Sequence, residues 1–276
     1  MRALRSPLVL LGGALLAFVV VVAVLAPVLS PHDPRALSGD SLERPSARHL
    51  LGTNDIGQDI FSQVIWGART SLTVAVGAAA LTIVVGILVG VGAGLRGGMV
   101  DLIAMRLADV FLAVPTLPLL VLVAALAGPR RSNLVLAMGL MIWPVVARTV
   151  RSQTLSLRGR GFVRSARGFG GGPLYVMRRH LAPALGPIIV AAFVNVAAVT
   201  VLLEASLSFL GLADPTTVSW GLVLHRALTQ QALYFTSLWT WWVLPAGFAI
   251  SLAVLGFTFL GVGLEPILNP RWKRVA

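Results

Sequence analysis

The 276-residue chain contains no cysteine, which excludes a disulfide framework, a thiolate metal site and a thiol nucleophile. It contains one lysine, Lys273, among 22 basic residues. A P-loop needs a lysine directly after its glycine turn to reach the β- and γ-phosphates. Lys273 lies instead in the C-terminal run ProArgTrpLysArg, so the chain cannot hydrolyse ATP through that motif. The four histidines (His32, His49, His180, His225) are scattered and form no H-E-x-x-H pair, which argues against a metalloprotease. No catalytic residue and no cofactor-binding or metal-binding motif is visible. Charge is scarce as well: 12% of residues are charged, against about 25% in a soluble domain.

What the chain has in abundance is apolar sequence, 57% of residues, gathered in blocks near twenty long. Such blocks cross a hydrocarbon core of about 30 Å. The expected fold is an all-α membrane protein with six transmembrane helices, at 8–29, 71–95, 101–126, 134–147 with its flanks, 187–210 and 238–264. The net charge of +12 belongs to loops beside spans and reflects topology; no nucleic-acid recognition module accompanies it. With both termini cytoplasmic, fifteen of the 22 Lys/Arg fall inside and seven outside, as the positive-inside rule requires. The first block is longer than a signal-peptide core and lacks a good cleavage site, so it reads as a retained span.

Three parts follow: an N-terminal span with an extracytoplasmic segment (1–70), a five-helix core (71–264) with a cytoplasmic loop at 151–186, and a cytoplasmic tail (265–276). The extracytoplasmic segment carries five of the ten carboxylates: Asp33, Asp40, Glu43, Asp55 and Asp59. At its end Ile56, Ile60, Phe61, Val64 and Ile65 fall at helical spacing, which predicts a short interfacial helix over 54–66. The second span is rich in glycine and alanine, residues that let helices approach closely in lipid. In the third, Arg106 and Asp109 share a helix face and suit an ion pair near the cytoplasmic end better than a proton relay. Pro115 and Pro118 are placed to break that helix. Glu204 and Ser206 in the fifth span are the intramembrane candidates for lining a translocation pathway, against a packing role for Glu204 at a subunit interface. Outside, 213–236 carries Asp214, Trp220, His225 and Arg226. Trp220 there suits a binding-protein contact or a membrane anchor.

The one long basic segment is GFVRSARGFGGGPLYVMRRHLAP, residues 161–183. Arg164, Arg167, Arg178, Arg179 and His180 occur here, with Arg160 just before it, and without a carboxylate. Gly170 to Gly172 divide it, and Pro173 suits the first turn of a new helix. It reads as helix, hinge, helix on one membrane face, where a partner protein pushes.

RSARGFGGGPLYVMRRHLAP resembles the EAA loop of bacterial ABC-importer permeases. Ala166 takes the second alanine position, Gly170 the glycine and Pro183 the proline, while Arg164 replaces the glutamate, Ser165 the first alanine and Ala182 the leucine. Three more stretches are similar to the C-type permease subunit of dipeptide, oligopeptide and nickel importers: LLGTNDIGQDIFSQVIWGARTSL (50–72, with His49 before it), LEASLSFLGLADPTTVSWG (203–221) and LPAGFAISLAVLGFTFLGVGLEPILNPR (244–271). Val262 stands where an aspartate is often found.

The resemblance implies a type I importer permease fold in a bacterial plasma membrane. A second permease would complete a heterodimeric pore, between an extracytoplasmic substrate-binding protein and cytoplasmic ATPases that bind ATP and Mg. It implies no cofactor in this chain. Arg164, Ser165, Ala166, Arg167, Gly170, Gly171 and Pro183 would form the coupling helix that docks on an ATPase. Dipeptides or oligopeptides are the expected solutes, with nickel chelates and haem open. A secondary transporter or channel acting alone, or an intramembrane enzyme, are the readings that stand against it.

Overall fold

The computed structural model describes residues 6–268. Ten α-helices occur among them: α1 Pro7–Leu29, α2 Ile60–Arg96, α3 Gly98–Ala113, α4 Thr116–Ala127, α5 Arg131–Arg158, α6 Gly161–Gly168, α7 Pro173–Val176, α8 Ala182–Phe209, α9 Trp220–Leu228 and α10 Leu238–Leu268. Five stretches are long and apolar enough to cross a membrane: α1, α2, α5, Met177–Phe209 and Leu238–Leu264. Counting the bent pair α3–α4 as one span makes six.

Local chemistry sets the helix ends. Ser6 caps α1, its Oγ accepting from the Val9 amide at 3.2 Å, and Pro7 takes the first turn, where a missing N–H costs nothing. Asp59 caps α2 by accepting from the Ser62 amide at 2.8 Å. The bend between α3 and α4 is 87°. Pro115 forces Val114 out of the helical region, to φ −93° and ψ 131°, and itself offers no N–H, so the chain restarts at Thr116.

Two expected boundaries are corrected. The segment 54–66 is not a separate interfacial helix. Residues 54–59 are irregular, with an isolated bridge between Thr53 and Asp59, and α2 begins at Ile60, running 37 residues without interruption and without a proline. The fifth span does not start at 187 but continues from the loop before it, Pro187 lying inside α8. The last span, Leu238–Leu264, is the expected one, and its helix continues to Leu268. The rest of the tail, 269–276, lies outside the described residues.

Helices in lipid gain little from burying apolar surface against one another, so close packing of small residues must hold them. On α2, Gly86, Gly90 and Gly94 recur every four residues and meet Val146, Ala147, Val150, Arg151 and Thr154 of α5. A Cβ on Gly90 would stand 2.5 Å from the Ala147 carbonyl oxygen, and one on Gly86 2.6 Å from the Val146 Cβ. α1 and α10 use the same device, Gly12 lying against Gly256 and Leu260. α8 joins α2 through the Thr200 hydroxyl, which donates to the Ala75 carbonyl at 3.0 Å. The buried face of α2 (Ala68, Leu72, Ala75, Ala79, Ile83) meets Val194, Ala197, Val201 and Ala205 of α8 in the main core.

The seam predicts a sharp contrast between neighbouring glycines. Gly90→Ala destabilises the protein by about 1–3 kcal/mol, the cost of overpacking. Gly92→Ala, where a Cβ meets nothing within 4 Å, changes stability by less than about 0.5 kcal/mol. Thermal midpoints of the two variants in one detergent check this.

Candidate functional site

α5 runs well beyond the roughly 20 residues that a span needs and carries its last turns to the start of α6. Arg158 ends it, donating from Nη1 to the carbonyl of Gly94 at 3.0 Å, where α2 closes. α6 terminates in a C-cap motif that glycine makes possible. Gly170 adopts φ +84°, the left-handed region, and the Gly171 amide donates to the Ala166 carbonyl at 2.8 Å. A Cβ on Gly171 would lie 2.5 Å from that same oxygen, so both positions of the turn are tied to glycine by geometry.

From Pro173 the chain does not make a free second helix. α7 passes into a π-helical turn, Met177–Leu181, and directly into α8. In that turn the Ala182 amide donates to the Met177 carbonyl, five residues back. The wider turn makes room where Pro183 lacks an N–H and its ring crowds the carbonyl of Arg179. The expected helix, hinge, helix is present, with the second helix starting at Pro173, and one glycine turn separates α6 from a helical path that is continuous to Phe209.

The loop has two faces. Val163, Val176 and Leu181 are fully buried in the main core and fix it to the spans. The other face is aromatic and basic. Phe169 is 92% exposed, and Tyr175 and Phe162 are also exposed, as are Arg164, Ser165, Arg178 and Arg179. His180 sits against Tyr175 and Phe162, ring centroids 5.7 and 5.9 Å away, and so joins α7 to α6. These rings and Ala166, with Gly170, Gly171 and Gly172, line an open groove of about 550 Å³. The side chain of Arg167 lies outside the described residues. Pro183 is exposed at the start of α8.

Ion pairs tie the same end of the molecule together. Arg106 Nη1 stands 3.6 Å from Asp109 Oδ2, but the closer partner of Asp109 is Arg148 of α5. Asp101 takes Arg151 of α5 in a two-pronged contact, one arm at 2.6 Å. Sequence reasoning missed both α5 partners, because they stand 39 and 50 residues away and only the fold brings them together.

The two pathway residues part company. Glu204 is 2% exposed, enclosed where α2, α8 and α9 meet. Its Oε1 accepts from the Ser208 hydroxyl at 2.7 Å. Ser71 and Ser219 bring further hydroxyls to the carboxyl group, yet Oε2 has no hydrogen-bond partner among the described residues. This position lies inside the chain's own helix packing. Ser206, two residues on and so on another face of the helix, is partly exposed and lines an apolar groove of about 420 Å³ with Leu117, Leu202, Phe209, Leu224 and Ile250. Its hydroxyl donates back to Leu202 at 2.8 Å. Trp220 is neither anchor nor docking residue: it is 2% exposed and donates from Nε1 to the Val64 carbonyl at 2.8 Å. In the loop before it, the Thr216 hydroxyl beside Asp214 holds that carboxyl below the usual carboxylate range.

A family model described as "Binding-protein-dependent transport system inner membrane component" matches residues 83–274, and a second, the "N-terminal TM domain of oligopeptide transport permease C", matches 1–46. The dipeptide transport system permease protein DppC of Bacillus subtilis (strain 168) is 35% identical over 279 residues, covering 99% of this chain and 85% of the relative. The DppC of Alkalihalophilus pseudofirmus is 34% identical over 275 residues, covering 98% and 88%. The matches cover both α1 and the core that carries the exposed loop. The chain belongs to the family of inner-membrane components of binding-protein-dependent transport systems and is a multi-pass transport permease of the bacterial inner membrane.

Proposed function

We propose that this chain is one of two permeases forming the pore of an ATP-driven importer of dipeptides or oligopeptides. Its 161–183 loop is the docking element for a cytoplasmic ATPase, and α3–α4 counts as one span of six with both termini inside. The observation that carries this is the aromatic and basic face of that loop, built on a glycine turn and rigidly continuous with α8. Exposed phenylalanines on a membrane protein's polar face are costly unless a partner covers them, and clustered aromatics with arginine are what protein interfaces use as anchors. Without an ATP-binding motif of its own, the chain takes its energy from the ATPases, which hold ATP and Mg. A substrate-binding protein delivers solute at the opposite face. The printed names of the relatives support peptides as the cargo.

The mechanism follows from the covalent path. A push on α6 and the glycine turn is passed through α7 and the π turn into α8, which is bonded to α2 through Thr200. The α5 end of the loop is clamped to α3 by Asp101–Arg151 and Asp109–Arg148. Closure of the ATPases therefore moves α5 and α8 together as bodies, a rigid displacement of packed helices. Arg164, where the family usually has glutamate, pairs with a carboxylate of its own ATPase and gives the contact its specificity.

Two variants test this in the complex co-expressed with the neighbouring permease and ATPase genes. Phe169→Ala weakens ATPase retention by about 2 kcal/mol or more, the scale of an interface anchor, and substrate-stimulated hydrolysis falls with it. Gly170→Val places a branched side chain at positive φ, at about 1–2 kcal/mol, and uncouples hydrolysis from uptake. Uptake into liposomes by the chain alone, without ATP, would contradict the proposal.

A further inference from the structure

The segment between α1 and α2, 30–59, packs many of its polar side chains inward. His49, Thr53 and Asn54 are fully buried and Asp59 is 1% exposed. Three of its residues converge although 27 positions separate the first from the last: His32, just past the end of α1, His49, and Asp59 at the N-cap of α2. Each offers one ligand atom, and these atoms lie within 4.8 Å of one another.

The two oxygens of Asp59 divide their work. Oδ2 accepts from the Ser62 amide at 2.8 Å and the Ser62 hydroxyl at 2.6 Å, which is the helix cap. Oδ1 faces both imidazoles, 2.9 Å from His49 Nδ1 and 3.9 Å from His32 Nδ1. The rings stack with centroids 4.7 Å apart. Two ring nitrogens are left over: His32 Nδ1 and His49 Nε2 are buried and have no hydrogen-bond partner among the described residues. His49 is 0% exposed, and Glu43 Oε2 stands 3.9 Å from its Nε2. Unpaired buried nitrogens beside carboxylates are poorly served by neutral imidazole and well served by a cation.

We propose that His32, His49 and Asp59 bind a divalent transition-metal ion of the zinc class, which staples the end of α1 and the loop to the N-terminus of α2. Two imidazoles and a carboxylate are the donor set such ions prefer, and the cap bonds that fix Asp59 supply the outer support that orients a metal ligand. Ligands at about 2.1 Å from one ion reach at most about 4.2 Å apart, so closing the site asks for less than 1 Å of movement. His32, 24% exposed, is the residue free to give it. The ion is resident and structural, distinct from any transported solute, and its existence does not depend on the coupling role of the 161–183 loop.

The untagged full-length chain in lipid nanodiscs, titrated with Zn2+ against a chromophoric chelator, tests this. One equivalent binds tightly, and the thermal midpoint rises with bound metal. His32→Ala lowers affinity at least tenfold, the scale at which even outer-shell partners matter, and abolishes the rise, while its metal-free midpoint matches that of the metal-free wild type. Asp59→Asn, which keeps a capping side chain, also lowers affinity; His225→Ala, at a distant loop, does not. Wild type that retains no zinc, or His32→Ala that binds as tightly as wild type, overturns the site and leaves a proton-sharing histidine pair in its place.

Discussion

Inside a bilayer the tails of the lipid are as apolar as leucine, so two helices stay together only if their backbones come close enough for dense contact. α2 and α5 meet that constraint with three glycines at four-residue intervals facing Val146, Val150 and Thr154. This seam fixes the distance and angle between α2 and α5. Everything else is referred to it: α3 and α4 lean on α5, α8 lies along the other side of α2, and α1 with α10 form a second glycine-packed pair on the flank.

In the proposed coupling, the seam is what would let a soluble partner move membrane helices. α5 leaves the seam only to deliver α6, and α8 begins where the loop ends, so the loop is strung between two helices that both pack on α2. A flexible connection would absorb a push. Here the turn is a defined C-cap, its neighbours Val163, Val176 and Leu181 are fully buried, and the path to α8 contains no break. The conserved quantity in such a lever is stiffness, and the π turn at Met177–Leu181 keeps it where proline would otherwise interrupt the ladder.

Much of this was legible in the sequence, for physical reasons. Apolar blocks of bilayer length, the arginine bias of one set of loops and a basic stretch punctuated by Gly170 to Gly172 are local signals, and they placed the spans and the loop. The continuity of α2 through 60–70 was less legible, because a polar stretch beside a membrane reads as an interface and not as a helix projecting from it. Glu204 shows a further limit. A carboxylate in a span signals a polar environment, but only the fold shows that Ser71 and Ser219, from elements remote in sequence, enclose it within the subunit. The pairing of Asp101 with Arg151, and the meeting of His32 with His49, are of the same kind: each residue is unremarked in its own neighbourhood.

The central claim is that the glycine turn at 161–183 faces the cytoplasm and is covered by an ATPase. The absence of native cysteine makes one measurement direct: a single Phe169→Cys variant, treated with a membrane-impermeant maleimide in inside-out and right-side-out vesicles, with and without the co-expressed ATPases. The account predicts labelling only in inside-out vesicles and protection of Cys at that position when the ATPases are present. Labelling from the outer face, or equal labelling with and without them, would contradict it.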